Sequence, residues 1–248
     1  MVTVMERHNG IDRADLHCHV LPGMDDGCRD CVEAAAVLAE SYAQGITAVA
    51  ATPHYYPTES VGQFLERRQA SYEQLTDYLG NHDITVPKLC LGAETAYRPG
   101  ISAEPRLEEL CYGSSPYLLL ELPFRRWDAS VLLEVRMIRN VRGLIPVIAH
   151  LERYLKFQDK KTLAELLETD VCIQMNAGYL LDRWTRGRAK RMIRNGIIQI
   201  LSSDCHNAES RPQNLGEAYR LLEKSGLEEE AEEMRQTGME LFLEAADG

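Results

Sequence analysis

The 248-residue chain is 45% hydrophobic and 26% charged with 17 Gly and 10 Pro, which excludes a disordered or fibrous protein and leaves a normal globular one. That length fits one α/β barrel without demanding a second domain. With 38 acidic against 27 basic residues the net charge is −11, so the surface as a whole repels nucleic acid and anionic lipid. A phosphorylated substrate stays open, because bound divalent cations dominate the local field of a site whatever the global charge.

The opening MVTVMERHNGIDR lacks the apolar run of a signal peptide, and no later stretch approaches the roughly 20 apolar residues that cross a bilayer. The expectation is a cytoplasmic protein with no membrane insertion. Its seven cysteines, at 18, 28, 31, 90, 111, 172 and 205, are odd in number and scattered, as expected of reduced thiols. Cys28 and Cys31 form a CxxC pair, but a zinc ribbon needs a second pair and a redox motif needs a thioredoxin-like context. The pair is read as structural.

In chain order, short apolar segments alternate with longer amphipathic ones, the pattern of strand and helix units around a parallel sheet. The first strand is predicted over 14–20 (ADLHCHV), followed by a helix with Val32, Ala35, Ala39 and Tyr42 on one face and a stop at Gly45. A strand over 46–52 leads to a helix over 64–79, and a strand over 87–93 precedes another over 117–122 (YLLLEL). Asp128 then caps a helix carrying Val131, Val135, Ile138 and Val141 on one face and ending at Gly143. Strands follow over 145–149, 171–176 and 197–203, with a helix over 179–195 ended by Gly196, and the chain reads as helical after Pro212. No repeat or linker interrupts the series, so the reading is one α/β domain, 1–248, built as a distorted (β/α)7 TIM-like barrel.

Chemistry-bearing residues fall at the C-terminal ends of these strands, where the loops of a (β/α) barrel build an active site. They are His17 and His19, His54, Glu94, Glu121, His150, and Asp204 with His206; Asp25 and Asp26 follow the first pair closely. An HxH pair on a strand puts both imidazoles on one face and turns Cys18 away, and the same alternation is expected of Asp204 and His206 around Cys205. Burying so many acids on one rim without cations is costly. Mixed imidazole and carboxylate donors suit zinc, manganese or iron, and there are more of them than one ion can use. Such a site hydrolyses phosphate esters by activating a bound water and clamping the oxygens of an in-line displacement. Arg153 and Arg211 lie near the ligands in sequence and offer forked donors for phosphoryl oxygens.

The ordered motifs DLHCHVLPGMDDG, ATPHYYP, LGAE, LLLELP, VIAHLERY and SSDCHNAESRP resemble the polymerase and histidinol phosphatase (PHP) family, from Asp15 to about Arg211. HLERY and the SRP after DxH resemble most its capsule-biosynthesis tyrosine phosphatases (CpsB-like). The resemblance implies a distorted barrel with three divalent ions, commonly manganese with iron or zinc as alternatives. It implies ligand roles for His17, His19, Asp26, His54, Glu94, Glu121, His150, Asp204 and His206, with Glu94 bridging two ions. It implies phosphate binding by Arg153 and Arg211, and hydrolysis of protein phosphotyrosine by a metal-bound hydroxide. The implied partner is an autophosphorylating bacterial tyrosine kinase of capsule or exopolysaccharide assembly. Histidinol phosphate or another small phosphomonoester is the alternative substrate, and a metal-binding regulatory domain the non-enzymatic alternative. The PFRRWD stretch departs from the relatives; Arg125, Arg126 and Trp127 border the substrate or form a solvated turn, the second being favoured.

A thiolate mechanism also has a foothold, since Cys205 and Arg211 satisfy C-x5-R. The intervening HNAES has no glycine to let backbone amides curl round a phosphate, which argues against it. Amidohydrolases also begin with HxH, but commonly use a lysine at strand four, where this chain has Glu121.

Overall fold

The computed structural model describes residues 12–246, so the reading that the first residues lack a signal-peptide run falls almost wholly, and the last two positions of the C-terminal helix reading wholly, outside the described residues. All seven predicted strand regions form strands: β1 (Ala14–Cys18), β2 (Ala48–Ala51), β4 (Lys88–Leu91), β6 (Tyr117–Glu121), β7 (Ile145–Ile148), β8 (Cys172–Asn176) and β9 (Ile200–Ser202). Two short strands were not anticipated, β3 (His54–Tyr55) and β5 (Glu94–Ala96). They arise because the chain jogs sideways after β2 and after β4. Pro53 has no N–H to continue the β2 ladder, and its carbonyl instead accepts from Glu94 N at 3.0 Å.

All ladders are parallel. β1, β2 and β4 form one sheet in the order β1-β2-β4, while the continuing pieces join the other in the order β3-β5-β6-β7-β8-β9. The far edge returns to the start: Asp204 N donates to His17 O at 2.9 Å and His19 N to Cys205 O at 2.8 Å. The result is a mixed α/β fold on a curled parallel sheet.

Strand alternation sorts two apolar clusters. Ala14, Leu16, Ala48, Ala50, Leu119, Val147 and Ile200 face inward and meet Leu241 and Phe242 of the last helix, α8 (Glu228–Ala246). The alternate residues, including Val49, Leu118, Leu120, Ile148, Ile173 and Leu201, pack outward under the helices. Small alanines on β1 and β2 leave room for α8 to lie against them.

The helices depart from expectation in instructive ways. The first, α1 (Cys31–Ala43), is capped by Asp30, but it buries Cys31, Ala34, Ala35, Val37, Leu38 and Ser41. Val32 is 63% exposed, so the predicted face is rotated; a run of alanines leaves the periodicity nearly silent about which side packs. The next, α2 (Val61–His82), starts earlier than predicted because Ser60 and Gln63 form a capping box, and Asp83 ends it in the left-handed region. Asp128 caps α3 (Ala129–Asn140) as expected, though Val141 lies beyond its end and is exposed. A further helix, α4 (Lys160–Leu167), precedes β8.

The predicted helix over 179–195 is two helices, α5 (Ala177–Leu181) and α6 (Arg186–Arg194). Side chains capture the backbone between them: Asp182 Oδ1 accepts from Trp184 N at 2.7 Å, and Arg186 donates to Leu181 O at 2.6 Å. The C-terminal region likewise breaks at Gly226 (φ +68°) into α7 (Leu215–Glu223) and α8. Among the described residues no helix is long and apolar enough to cross a membrane.

The seat of α8 gives a stability test. Gly113 has φ +48°, and a Cβ there would stand 2.0 Å from Ala245 O, whereas Gly143 at φ +71° has open space around it. Gly143→Ala is expected to cost about 1 kcal/mol from backbone strain alone. Gly113→Ala, which adds overpacking against α8, is expected to cost about 3 kcal/mol or more in urea unfolding. Equal losses would contradict this packing of α8.

Candidate metal centre

Each strand delivers its chemistry at the same end. β1 shifts register between Asp15 and Cys18, so Cys18 is fully buried in the outer cluster although Leu16 faces inward, and His17 and His19 on either side of it leave the strand toward the site. His54 comes from β3, Glu94 from β5 and Glu121 from the end of β6. His150 follows β7 with φ +35°, and Asp204 follows β9 with φ +55°. Both are non-glycine residues in the left-handed region, a strain that persists only where the surroundings fix it. Gln174 Oε1 holds His150 N at 2.6 Å, and His17 O holds Asp204 N. The strand-alternation argument for Asp204 and His206 therefore fails, because β9 ends at Ser202. A turn brings the two together instead, with His206 Nδ1 3.6 Å from Asp204 Oδ1.

Glu94 lies at the centre. Its Oε2 is 3.2 Å from His17 Nε2, 3.2 Å from His19 Nε2 and 2.9 Å from His54 Nδ1, and its Oε1 is 2.8 Å from His150 Nε2. Around it, donor atoms gather in three groups, each within 4.8 Å: His19, Asp26, His54 and His206; His17, His19 and Asp204; and His54, Glu94 and Glu121. Eight of the nine predicted ligands fall in these groups. His150 stands outside the three groups, 3.4 Å from Glu121 Oε1 as well as against Glu94.

The donor chemistry fits cations. His17 Nε2 and His19 Nε2 face each other at 3.2 Å, an arrangement two protonated nitrogens cannot share. Glu94 Oε2 and His54 Nδ1 are buried and meet at 2.9 Å, and buried His206 Nε2 lies 3.4 Å from Asp26 Oδ1, but none of the three atoms makes a well-formed hydrogen bond, a cost that coordination would remove. Burial would lower the imidazoles of His19 and His150, yet carboxylates overcome it. Asp25 and Glu94 raise His19 to about 10, and Glu121 and Glu94 raise His150 to about 9. Burial and the positive His19 push His206 down to about 4. For Glu94 burial works upward, but His17 and the hydrogen bonds of His150, His17 and His19 hold it well below the carboxylate range.

Both arginines reach this centre. Arg211 Nη2 is 2.7 Å from Asp204 Oδ2, Arg153 Nη2 pairs with the same oxygen, and each guanidinium is about a third exposed to a cavity of about 380 Å³. Asn176 Nδ2 adds a third donor to that oxygen at 2.7 Å. Burial would raise the Asp204 carboxyl, but His17 and Arg153 hold it well below its usual range.

Several contributors were given no role by the sequence reading. Asp25 Oδ2 accepts from His54 N at 2.8 Å and lies 2.7 Å from His19 Nδ1, so it orients two of the candidate ligands without being one of the grouped donors. Gln174 touches His17 Nδ1 at 3.4 Å besides holding His150. Buried Asp15 accepts from Ser203 N at 3.0 Å and Gln213 Nε2 at 2.8 Å, tying β1 to the turn before Asp204. Burial lifts the Glu152 carboxyl to about 7. Only Asp15 and Asp25 carried a signal, as acids flanking HxH. Phe124 stacks on His150 at 5.7 Å and Tyr56 on His54 at 5.0 Å.

Other sequence candidates lie elsewhere. Arg125 turns to Asp128 and Arg126 to Asp159 on the surface, while Trp127 is core, its Nε1 donating to Pro123 O at 2.9 Å. Cys28 and Cys31 are free buried thiols, and Cys31 Sγ lies 3.7 Å from Gln74 O. Cys205 is buried with Sγ 3.7 Å from Asn207 O, while Arg211 turns to Asp204, so C-x5-R forms no phosphate loop here.

Cations entering this site must displace the protons on His19 and His150. Adding Mn2+ to chelator-treated protein at pH 7 is expected to release protons, and affinity is expected to rise between pH 7 and 9 as those imidazoles approach deprotonation. Calorimetry in buffers of different ionisation enthalpy measures both; affinity independent of pH with no proton release would contradict the assignment.

Residues 13–243 match the family model described as capsular polysaccharide synthesis, CpsB/CapC. The chain is 28% identical over 218 residues to the tyrosine-protein phosphatase YwqE of Bacillus subtilis, covering 85% of this chain and 84% of that protein. It is 27% identical over 239 residues to the tyrosine-protein phosphatase CpsB of Streptococcus pneumoniae, covering 89% and 93%. Crystal structures of YwqE and CpsB, described as unique metal-dependent tyrosine phosphatases, include one that superposes with a TM-score of 0.81 at 26% identity over 94% of each chain. An organophosphate-hydrolysing lactonase template shares the fold alone, at a TM-score of 0.53 and 15% identity over 93% of this chain and 95% of that one. The chain belongs to the CpsB/CapC family of capsular polysaccharide synthesis.

Proposed function

We propose that this protein is a metal-dependent protein-tyrosine phosphatase that hydrolyses phosphotyrosine on an autophosphorylating bacterial tyrosine kinase of capsule or exopolysaccharide assembly. The observation that carries the reading is the Glu94 carboxylate surrounded by four imidazoles, beside two arginines that open onto a cavity. We read the three donor groups as the residues that would hold divalent ions, three in number and manganese in kind, with Glu94 among the donors that would serve them. The ligands are His17, His19, Asp26, His54, Glu94, Glu121, His150, Asp204 and His206. We read the fold as a distorted (β/α)7 barrel that forms one catalytic unit. The seven free thiols support a cytoplasmic setting.

Divalent ions supply Lewis-acid activation of water and neutralise phosphoryl oxygens during an in-line displacement. The chain's own residues do the rest. Asp25 and Gln174 fix the imidazoles of His19 and His17, so the donors are preorganised rather than gathered by the ion. Arg153 and Arg211 share Asp204 and are a third exposed, which leaves guanidinium N–H groups free for equatorial phosphoryl oxygens. The departing tyrosine has a pKa of about 10, so it leaves as phenolate without a strong acid. Direct attack by water needs no covalent enzyme intermediate.

Phosphotyrosine-peptide hydrolysis by chelator-treated and Mn2+-resupplied protein tests the reading. Activity is expected to vanish and return with metal, and to survive in Cys205→Ser. Arg211→Ala and Arg153→Ala are each expected to lower kcat/KM about a hundredfold or more. Activity indifferent to chelation and abolished in Cys205→Ser, or clearly better turnover of histidinol phosphate, would overturn it.

A further inference from the structure

The cavity at the two arginines continues past them. A second cavity of about 430 Å³ adjoins it, and the two share Glu152, Arg153 and Tyr179 as common lining. A phosphoryl group needs only the first. The second adds aromatic surface from Phe124 and Phe157 and cationic surface from Lys156 and Arg188. Phe124 is 44% exposed and stacks on His150, so this cavity begins one ring away from the metal centre.

The charge at this place runs against that of the molecule. On a chain of net charge −11, three cations, Arg153, Lys156 and Arg188, surround one cavity. Lys156 and Arg188 are exposed, and neither is ion-paired with a carboxylate among the described residues. Lys156 Nζ lies 4.8 Å over the Phe157 ring, a cation–π contact, and Arg188 borders the Tyr179 hydroxyl. The one acid of the lining, Glu152, turns its oxygens to Asn176 N at 3.3 and 3.4 Å.

We propose that this second cavity is a substrate subsite that takes an acidic residue flanking the phosphotyrosine of a polypeptide. Its carboxylate sits between Lys156 and Arg188, and its methylenes and the adjoining peptide lie over Phe124 and Phe157. The proposal rests on the phosphotyrosine reading above and extends it from the phosphoryl group to the chain that carries it. Charge complementarity at a partly exposed rim acts on encounter and KM more than on the chemical step.

The test compares native protein with the Lys156→Glu, Arg188→Glu double variant on three substrates: 4-nitrophenyl phosphate, a phosphotyrosine peptide flanked by glutamates, and the same peptide flanked by lysines. Native protein is expected to favour the acidic peptide by about tenfold in kcat/KM at low salt, with the preference shrinking as salt screens it. The double variant is expected to lose that preference through KM while turning over 4-nitrophenyl phosphate within about twofold of native, since neither residue touches the reacting group. Equal turnover of both peptides by native protein would overturn the subsite and leave the phosphatase reading standing. A loss in the variant that is equal on all three substrates would also overturn the subsite. If native protein hydrolysed neither peptide but turned over small phosphomonoesters, the phosphotyrosine reading itself would fail.

Discussion

The Glu94 carboxylate is 1% exposed and touches four imidazoles, and the rest of the molecule is organised to make that placement tolerable. A buried carboxylate costs several kcal/mol unless positive charge lies beside it. Here that charge is supplied by imidazoles whose protons are held to about 10 at His19 and about 9 at His150. A divalent ion answers the same demand with more charge and no proton. The electrostatic pull that raises those imidazoles is therefore the pull that would fill the site with metal.

The scaffold meets this demand by spending backbone regularity. The jogs after β2 and β4 carry His54 and Glu94 out of one sheet and into the other, which brings them opposite His17 and His19. Left-handed backbone at His150 and Asp204 aims two more donors inward, at a cost of about 1–3 kcal/mol each. Buried acceptors hold those turns, Gln174 Oε1 taking His150 N and Asp15 taking Ser203 N, while buried Gln213 donates to Asp15 in turn. Underneath, α8 fills the inside of the curled sheet, so the strands have a solid base from which to project their ends.

Sequence alone was informative where chemistry and local pattern coincide. Most of the seven strand regions are short apolar runs buried on both faces, β4 with its exposed Lys88 being the exception, and the candidate ligands sit at their ends, so both were legible from one chain. The jogs were less legible, because the sheet to which His54 and Glu94 belong depends on partners far along the chain. The break at Asp182–Thr185 was hidden by an unbroken amphipathic pattern, and only side-chain capture of backbone groups ended the helix. The alanine-rich face of α1 misled for the opposite reason, since small residues pack on either side. Phe124, Lys156 and Arg188 acquire their shared position from three separate loops and helices, a relation no spacing encodes. In PFRRWD the favoured solvated turn holds for Arg125 and Arg126, while Trp127 is core and Phe124, to which no role was given, is the member that reaches the site.

The central claim is that one buried carboxylate organises a multinuclear metal site. Counting metal per chain by mass spectrometry, in native protein and in Glu94→Gln purified after Mn2+ loading, tests it most directly. The account predicts more than one ion per native chain, rising toward three with saturation, and fewer ions than native in Glu94→Gln with its circular dichroism unchanged. A native chain that binds no more than one ion, or a Glu94→Gln chain that binds as many as native, would contradict it.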